Sequence, residues 1–143
     1  MCQRLYIASP TRLDTVRRSK ASPFLVVPEA SDDAQARERF HPDRKYLYRA
    51  GGHVECGCGF PALLAEGNKP DAPDDPKDLQ SMTALAEHLR AACRRHSTVD
   101  LYLCWATEET EPPLTRRTVT LEDLRDSRFR LRHRELLTVG RAP

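Results

Sequence analysis

No stretch of this sequence approaches the roughly 18 consecutive apolar residues that a membrane-spanning helix needs. Its start, Met-Cys-Gln-Arg-Leu-Tyr, lacks the long apolar core of a secretory signal. A soluble protein in the cytoplasm, with no membrane partner, is therefore expected. An excess of charge of one sign is missing too. With 23 basic and 21 acidic residues the formal net charge is +2, so no whole-molecule field argues for nucleic acid, and any anionic partner must be met by a local patch. The chain also lacks an internal repeat, a low-complexity tract, a glycine-rich phosphate loop, a nucleophile elbow and a pair of acids at a recognised catalytic spacing. These absences remove the motif-borne functions and leave the catalytic residues, if any, unassigned.

What is present fits one globular unit. A chain of 143 residues has the size of an average domain, and its 39% hydrophobic residues recur in short segments as a packed core requires. We expect a single α+β domain over 1–143, with a mixed or antiparallel sheet and one long and two short helices mainly on one face. Strands are predicted at 5–8, at 24–27 as an edge strand bounded by Pro23 and Pro28, and at 46–50. Gly51-Gly52 then reads as a hairpin turn that sends the chain back through 53–60. Ser31, a good N-cap, with early acids and later bases behind it, predicts a short helix over 32–39.

Turn residues make 66–77 a surface loop. Leu79, Met82, Ala86, Leu89, Cys93 and His96 recur at helical spacing and predict the long helix, with Asp75 or Asp78 as N-cap. Residues 99–105 are apolar on both sides, as a central strand covered on two faces must be. Pro112-Pro113 makes 107–117 a loop, and Thr120 with Asp123 carries a capping-box pattern for a short helix to about 126. Residues 128–139 close the chain as one or two strands.

The chemistry is concentrated in the thiols. Five cysteines is an odd number, and in a reducing compartment they read as thiols, core residues or metal ligands. His53, Cys56 and Cys58 lie within six residues, and imidazole with thiolate is the ligand set of zinc or iron. In an extended strand Cys56 and Cys58 share a face and His53 takes the other, so one ion gathers all three only if Gly57 or Gly59 bends the backbone. A closed tetrahedral site needs a fourth ligand, for which Cys2, Cys104 and His41 are candidates; the paired spacing of zinc ribbons is absent. The leading expectation is a metal-binding protein using Cys56, Cys58, His53 and Cys2.

The same segment supports three other readings. Cys56-Gly-Cys58 can be a dithiol that cycles with an easily reduced disulfide. One cysteine can be a nucleophile, with His53 or His41 as base and the Gly57 and Gly59 N–H groups holding an oxyanion. Both cysteines can be small packing residues in a glycine turn. Removal of Met1 would leave Cys2 as an N-terminal cysteine, which resembles N-terminal-nucleophile hydrolases such as the glutamine amidotransferases at that one residue. Cys93 and Cys104 fall on apolar faces and read first as core. Arg128, Arg130, Arg132 and Arg134 alternate with Phe129, Leu131 and His133, so a strand there would align four guanidinium groups for an anionic partner, making the protein an interaction module. A solvated edge strand explains the same pattern. Tyr46 and Tyr48 share one side of their strand as core or rim residues.

Overall fold

Residues 5–8 and 99–105 are apolar at odd and even positions alike, which only a strand buried on both faces allows. The structure, a computed structural model describing residues 2–17, 19, 24–28, 31–53, 56–63, 76–94 and 97–142, sets these two segments side by side in the middle of a sheet. Along the chain run β1 (Gln3–Ser9), β2 (Leu25–Pro28), β3 (Tyr46–Gly51), β4 (Ala62–Leu63), α1 (Pro76–Leu89), β5 (Val99–Trp105), β6 (Thr115–Thr120), α2 (Leu121–Arg125), β7 (Leu131–Arg132) and β8 (Glu135–Gly140). Six strands form one mixed sheet in the order β2-β3-β1-β5-β8-β6, antiparallel except for the β6–β8 pair. The short β4 and β7 pair in parallel beside it. The fold is α+β.

Strand alternation sorts the core into two layers. Leu5 and Ile7 of β1, with Leu101 and Leu103 of β5, pack against Met82, Leu85, Ala86 and Leu89 of α1 and Leu121 and Leu124 of α2. Tyr6, Ala8, Tyr102 and Cys104 face the other way, under Ala36 and Phe40. Phe40 meets Tyr102 edge-on, with ring centroids 6.4 Å apart. Both α-helices thus lie on one face and the segment around Ala36 covers part of the other.

Several expectations need correction. Residues 32–39 are not an α-helix: Ser31–Arg39 is a 3-10 helix, which leaves, among the described residues, one long and one short α-helix instead of one long and two short. Among its described side chains only Ala36 is fully buried, so packing offers little to hold a regular α-helix in so charged a segment. The long helix stops at Leu89, whose carbonyl accepts from the N–H groups of both Ala92 and Cys93 at 3.0 Å. Cys93 is still buried, beyond the helix end, and His96 lies outside the described residues. The same holds for Asp75 and for the expected loop up to residue 75, whereas Pro76 and Lys77 already belong to α1 and Asp78 stands in its first turn. Proline suits that first turn because its missing N–H would have no partner there.

β6 was not expected. Its Thr and Arg residues read as loop, yet an edge strand needs only one apolar face, and Val119 supplies it. Arg117 and Thr115 of β6 reach the buried carboxylate of Glu135, at 2.8 and 3.4 Å. The capping box is present as read: Thr120 Oγ1 accepts from Asp123 N–H at 3.1 Å, and the Asp123 carboxylate accepts from Thr120 N–H at 2.8 Å. β2 is an edge strand as expected. Among the described residues no helix is long and apolar enough to cross a membrane.

One polar network ties three segments together. The Arg44 guanidinium lies 3.2 Å from the carboxylate of Asp100 and also donates to Thr98, while Thr138 Oγ1 donates to Asp100 at 2.9 Å. The Asp100 side chain is 7% exposed, so its charge depends on these partners. Asp100→Ala leaves a desolvated guanidinium and is expected to cost about 3 kcal/mol, read as a lower urea midpoint at unchanged slope. An unchanged midpoint would contradict that role.

Candidate thiol site

Among its described residues the segment after β3 does not return as a strand. It bends at His53 and enters a 3-10 turn, Gly57–Gly59, that lies against the first residues of β1. Side-chain-free residues make this approach possible. A Cβ on Gly57 would stand 3.0 Å from Gln3 O and 3.0 Å from Leu5 N, and a Cβ on Gly52 only 2.5 Å from Gly59 O. The Cys56 carbonyl closes the loop by accepting from the N–H groups of Gly52 and Gly59, each at 3.1 Å. Phe60 then buries itself edge-on against Phe24, anchoring the far end.

This packing carries Cys56 and Cys58 to the start of β1, where Cys2 precedes the first strand residue. Cys58 Sγ accepts from the N–H of Gln3 at 3.2 Å. Cys56 lies close enough to Cys58 and to Cys2 for both to bear on the ionisation of its thiol. Three of the expected site residues therefore gather from two distant stretches of chain. Cys2 and Cys58 are exposed and Cys56 is half-buried. Burial pushes the Cys56 thiol up to about 12; the Cys58 N–H opposes the rise, and the neighbouring thiols Cys58 and Cys2 add to it.

The other candidates go elsewhere. His53 is taken by α1: its N–H donates to Ser81 Oγ at 3.1 Å, and its Nε2 lies 2.5 Å from Asp78 Oδ1. His41 is exposed and pairs with Asp43. Cys104 is buried in the second core layer and its thiol is pushed up to about 12, by burial first and then by Glu109 and Glu108. Cys93 is buried on the first layer. Among the described residues no group of three or more His, Cys, Asp and Glu side chains is arranged to hold a metal ion.

Beside the thiols a cavity of about 410 Å³ opens on the sheet face opposite α1, lined by Cys2, Arg4, Leu25, Val27, Arg49 and Cys56 among others. Arg4 and Arg49 alternate with Leu5 and Ala50, which point to the helices, so both guanidinium groups belong to this face. Arg4 is steadied by Glu109 at 3.0 Å, and the turn carrying Glu109 is fastened by Ala106 N–H donating to the Cys2 carbonyl at 3.0 Å. Neither arginine stood out in the sequence, where each is a single basic residue beside an apolar strand. The signal lay in their parity: each sits out of phase with the apolar residues that face α1.

The expected arginine row is not formed. Only Leu131–Arg132 is strand, and Arg134 takes a left-handed backbone, φ 56°, that ends the alternation. Arg128 lies 3.4 Å from Asp126, Arg130 donates to the backbone carbonyls of Ser127 and Phe129, Arg132 turns towards Glu135, and Arg134 donates to the Pro112 carbonyl. Each side chain serves its own turn. Tyr48 is buried, its hydroxyl accepting from Leu13 N–H at 2.8 Å, and Tyr46 packs at the edge of the core. Comparison with protein families, with characterised proteins and with solved structures finds no match to this chain.

A thiol raised from 9.0 to about 12 carries, below pH 9, about a thousandth of the thiolate of an ordinary cysteine. Iodoacetamide at pH 8 is therefore expected to modify exposed Cys58 well before Cys56, with the Cys56 rate still climbing above pH 9; equal rates in peptide mapping would refute this. Cys56 and Cys104 stay protonated in the fold up to about 12 but ionise near 9.0 once unfolded. Their contribution to stability is thus complete below pH 9 and declines as pH rises from 9 towards 12. Urea midpoints measured above pH 9 should fall, and fall less steeply in Cys104→Ala.

Proposed function

We propose that the protein is a thiol–disulfide redox protein whose working pair is Cys56 and Cys58. The observation that carries this reading is the closeness of the two cysteines across the glycine turn, near enough for Cys58 to act on the ionisation of Cys56, with Cys58 exposed and Cys56 half-buried. Such a pair divides the labour of exchange. Exposed Cys58, as thiolate, attacks a small disulfide RSSR, forming a mixed disulfide and releasing one RSH. Cys56 then gives up its proton and attacks the Cys58 sulfur, so that the protein disulfide forms, a second RSH leaves, and two electrons and two protons have passed to RSSR. A cysteine-nucleophile enzyme is favoured less, because neither base it could use is described beside the thiols: His53 turns to Asp78 on α1 and His41 to Asp43.

The third thiol supports a second reading. Cys2 lies near enough to raise the Cys56 thiol, and three thiolates are a donor set for zinc, or for iron, once the side chains draw inward. The metal would be held by Cys2, Cys56 and Cys58, with His53 joining only if it left Asp78. The two readings divide on Cys2: metal uptake is lost in Cys2→Ser, while disulfide formation survives it.

The reduced protein is to be equilibrated with excess hydroxyethyl disulfide, alkylated and mapped. Cys56 and Cys58 are expected in one intramolecular disulfide, and Cys56→Ser should stop at a mixed disulfide on Cys58. Recovery of both cysteines as free thiols, or as separate mixed disulfides, would overturn the redox reading. Elemental analysis showing near-equimolar zinc or iron, absent in Cys2→Ser, would put the metal reading in its place.

A further inference from the structure

We infer that the far edge of the sheet, strand β6, is a surface through which two copies of this chain associate, the two β6 strands pairing antiparallel about a two-fold axis. The sheet ends on β2 at one side and on β6 at the other. An exposed edge strand carries a row of backbone N–H and C=O groups ready to pair with another chain. β2 is closed to such pairing, because Val16 and Val26 exchange two backbone hydrogen bonds of 2.9 Å along its outer side and Pro28 has no N–H to give. β6 has no such cover among the described residues. Its six residues, Thr115–Thr120, pair in unbroken register with Glu135–Gly140 of β8 and include no proline, so every second N–H and C=O is turned outward.

The surroundings keep this edge accessible. Thr115, Arg116 and Thr118 are exposed, and Leu114, just before them, is the one exposed large apolar side chain among the described residues, at 59%. A hollow of about 460 Å³ is lined by three successive strand residues, Arg117, Thr118 and Val119, with Asp123 and Asp126 among the others. Successive strand residues point to opposite faces, so a hollow that touches all three lies along the edge and not over one face. Behind it, Arg117 and Thr115 are tied to the buried Glu135 carboxylate, which holds the strand against β8. Charge selects the occupant. Along this edge the chain passes from Arg116 and Arg117 to Glu122 and Asp123 in the first turn of α2. A two-fold axis reverses the strand, so the basic end of each copy is laid towards the acidic end of the other. The edge is thus self-complementary, which a uniformly acidic or uniformly basic partner strand would not match. A six-residue edge makes an interface at the low end of the size range, under roughly 1,200 Å² in total, so the dimer is weak and dissociates on dilution.

Sedimentation velocity of the full chain, with its thiols kept reduced so that no intermolecular disulfide contributes, reads the association directly. A monomer–dimer equilibrium is expected between micromolar and submillimolar protein, weakened by added salt. Thr118→Lys sets like charges at the middle of the paired strands, and Arg116→Glu turns an attraction into a repulsion. Each should weaken the dimer about tenfold while leaving the urea midpoint of the monomer where it was. Hydrogen exchange of the wild-type chain gives a second reading that needs no variant. Amides of residues 115–120 should exchange several-fold more slowly at high than at low protein concentration, while those of residues 25–28 stay unchanged. A monomer throughout this range, a dimer indifferent to either substitution, or exchange at 115–120 that ignores concentration overturns the inference.

Discussion

A close backbone contact organises the thiol-bearing end of this molecule. Gly57 sits against Gln3 and Leu5 of β1 with no space for a side chain, and Gly52 and Gly59 meet backbone to backbone just behind it. Any larger residue at these places would have to push the loop off the sheet, since the opposing atoms are backbone and cannot swing aside. The turn can therefore lie across the start of β1, the N–H of Gln3 can reach the Cys58 sulfur, and Cys2 is brought beside a segment more than fifty residues away. Without that contact Cys56 and Cys58 would be two thiols on a loop.

The sheet supplies the frame for this contact. β1 and β5 are held from both sides, β1 between β3 and β5, and each buries apolar residues on both faces, so the start of β1 is among the best-fixed places in the fold. The turn that follows β5 is in turn fastened there, by Ala106 to the Cys2 carbonyl and by Glu109 to Arg4, while Glu108 lies 3.0 Å from His133. These ties join the ends of β1 and β5 to the turn before β8. The polar groups on the thiol face are thus positioned by central strands rather than by loops alone, which favours a preformed cavity.

The electrostatics of the thiols follow from depth. Cys56 is half-buried next to two other sulfurs, and both circumstances oppose a negative charge on it. Cys104, in the core under the same face, is held protonated by burial and by the acids of the 105–109 turn, which agrees with a packing role. The contrast between a shielded Cys56 and an exposed Cys58 is the asymmetry that sequential thiol exchange requires.

Much of the fold was legible in the residues. The doubly apolar run at 99–105, the three- and four-residue spacing from Leu79, and the Thr120–Asp123 box are local patterns that hydrogen bonding and burial translate directly into a central strand, a long helix and a capped short one. The segment at 32–39 was misread because its charges suit a helix dipole while its near lack of buried residues weakens the α form, and β6 because an edge strand can be almost wholly polar. Sequence spacing alone set Cys56 and Cys58 close together and showed that glycine must shape the backbone around them. Which residue joins them was decided only in three dimensions. The helix captured His53 through Asp78, and the sheet register brought Cys2, Arg4 and Arg49 to the loop, because strand pairing and backbone contact act between residues whose separation along the chain carries no sign of it.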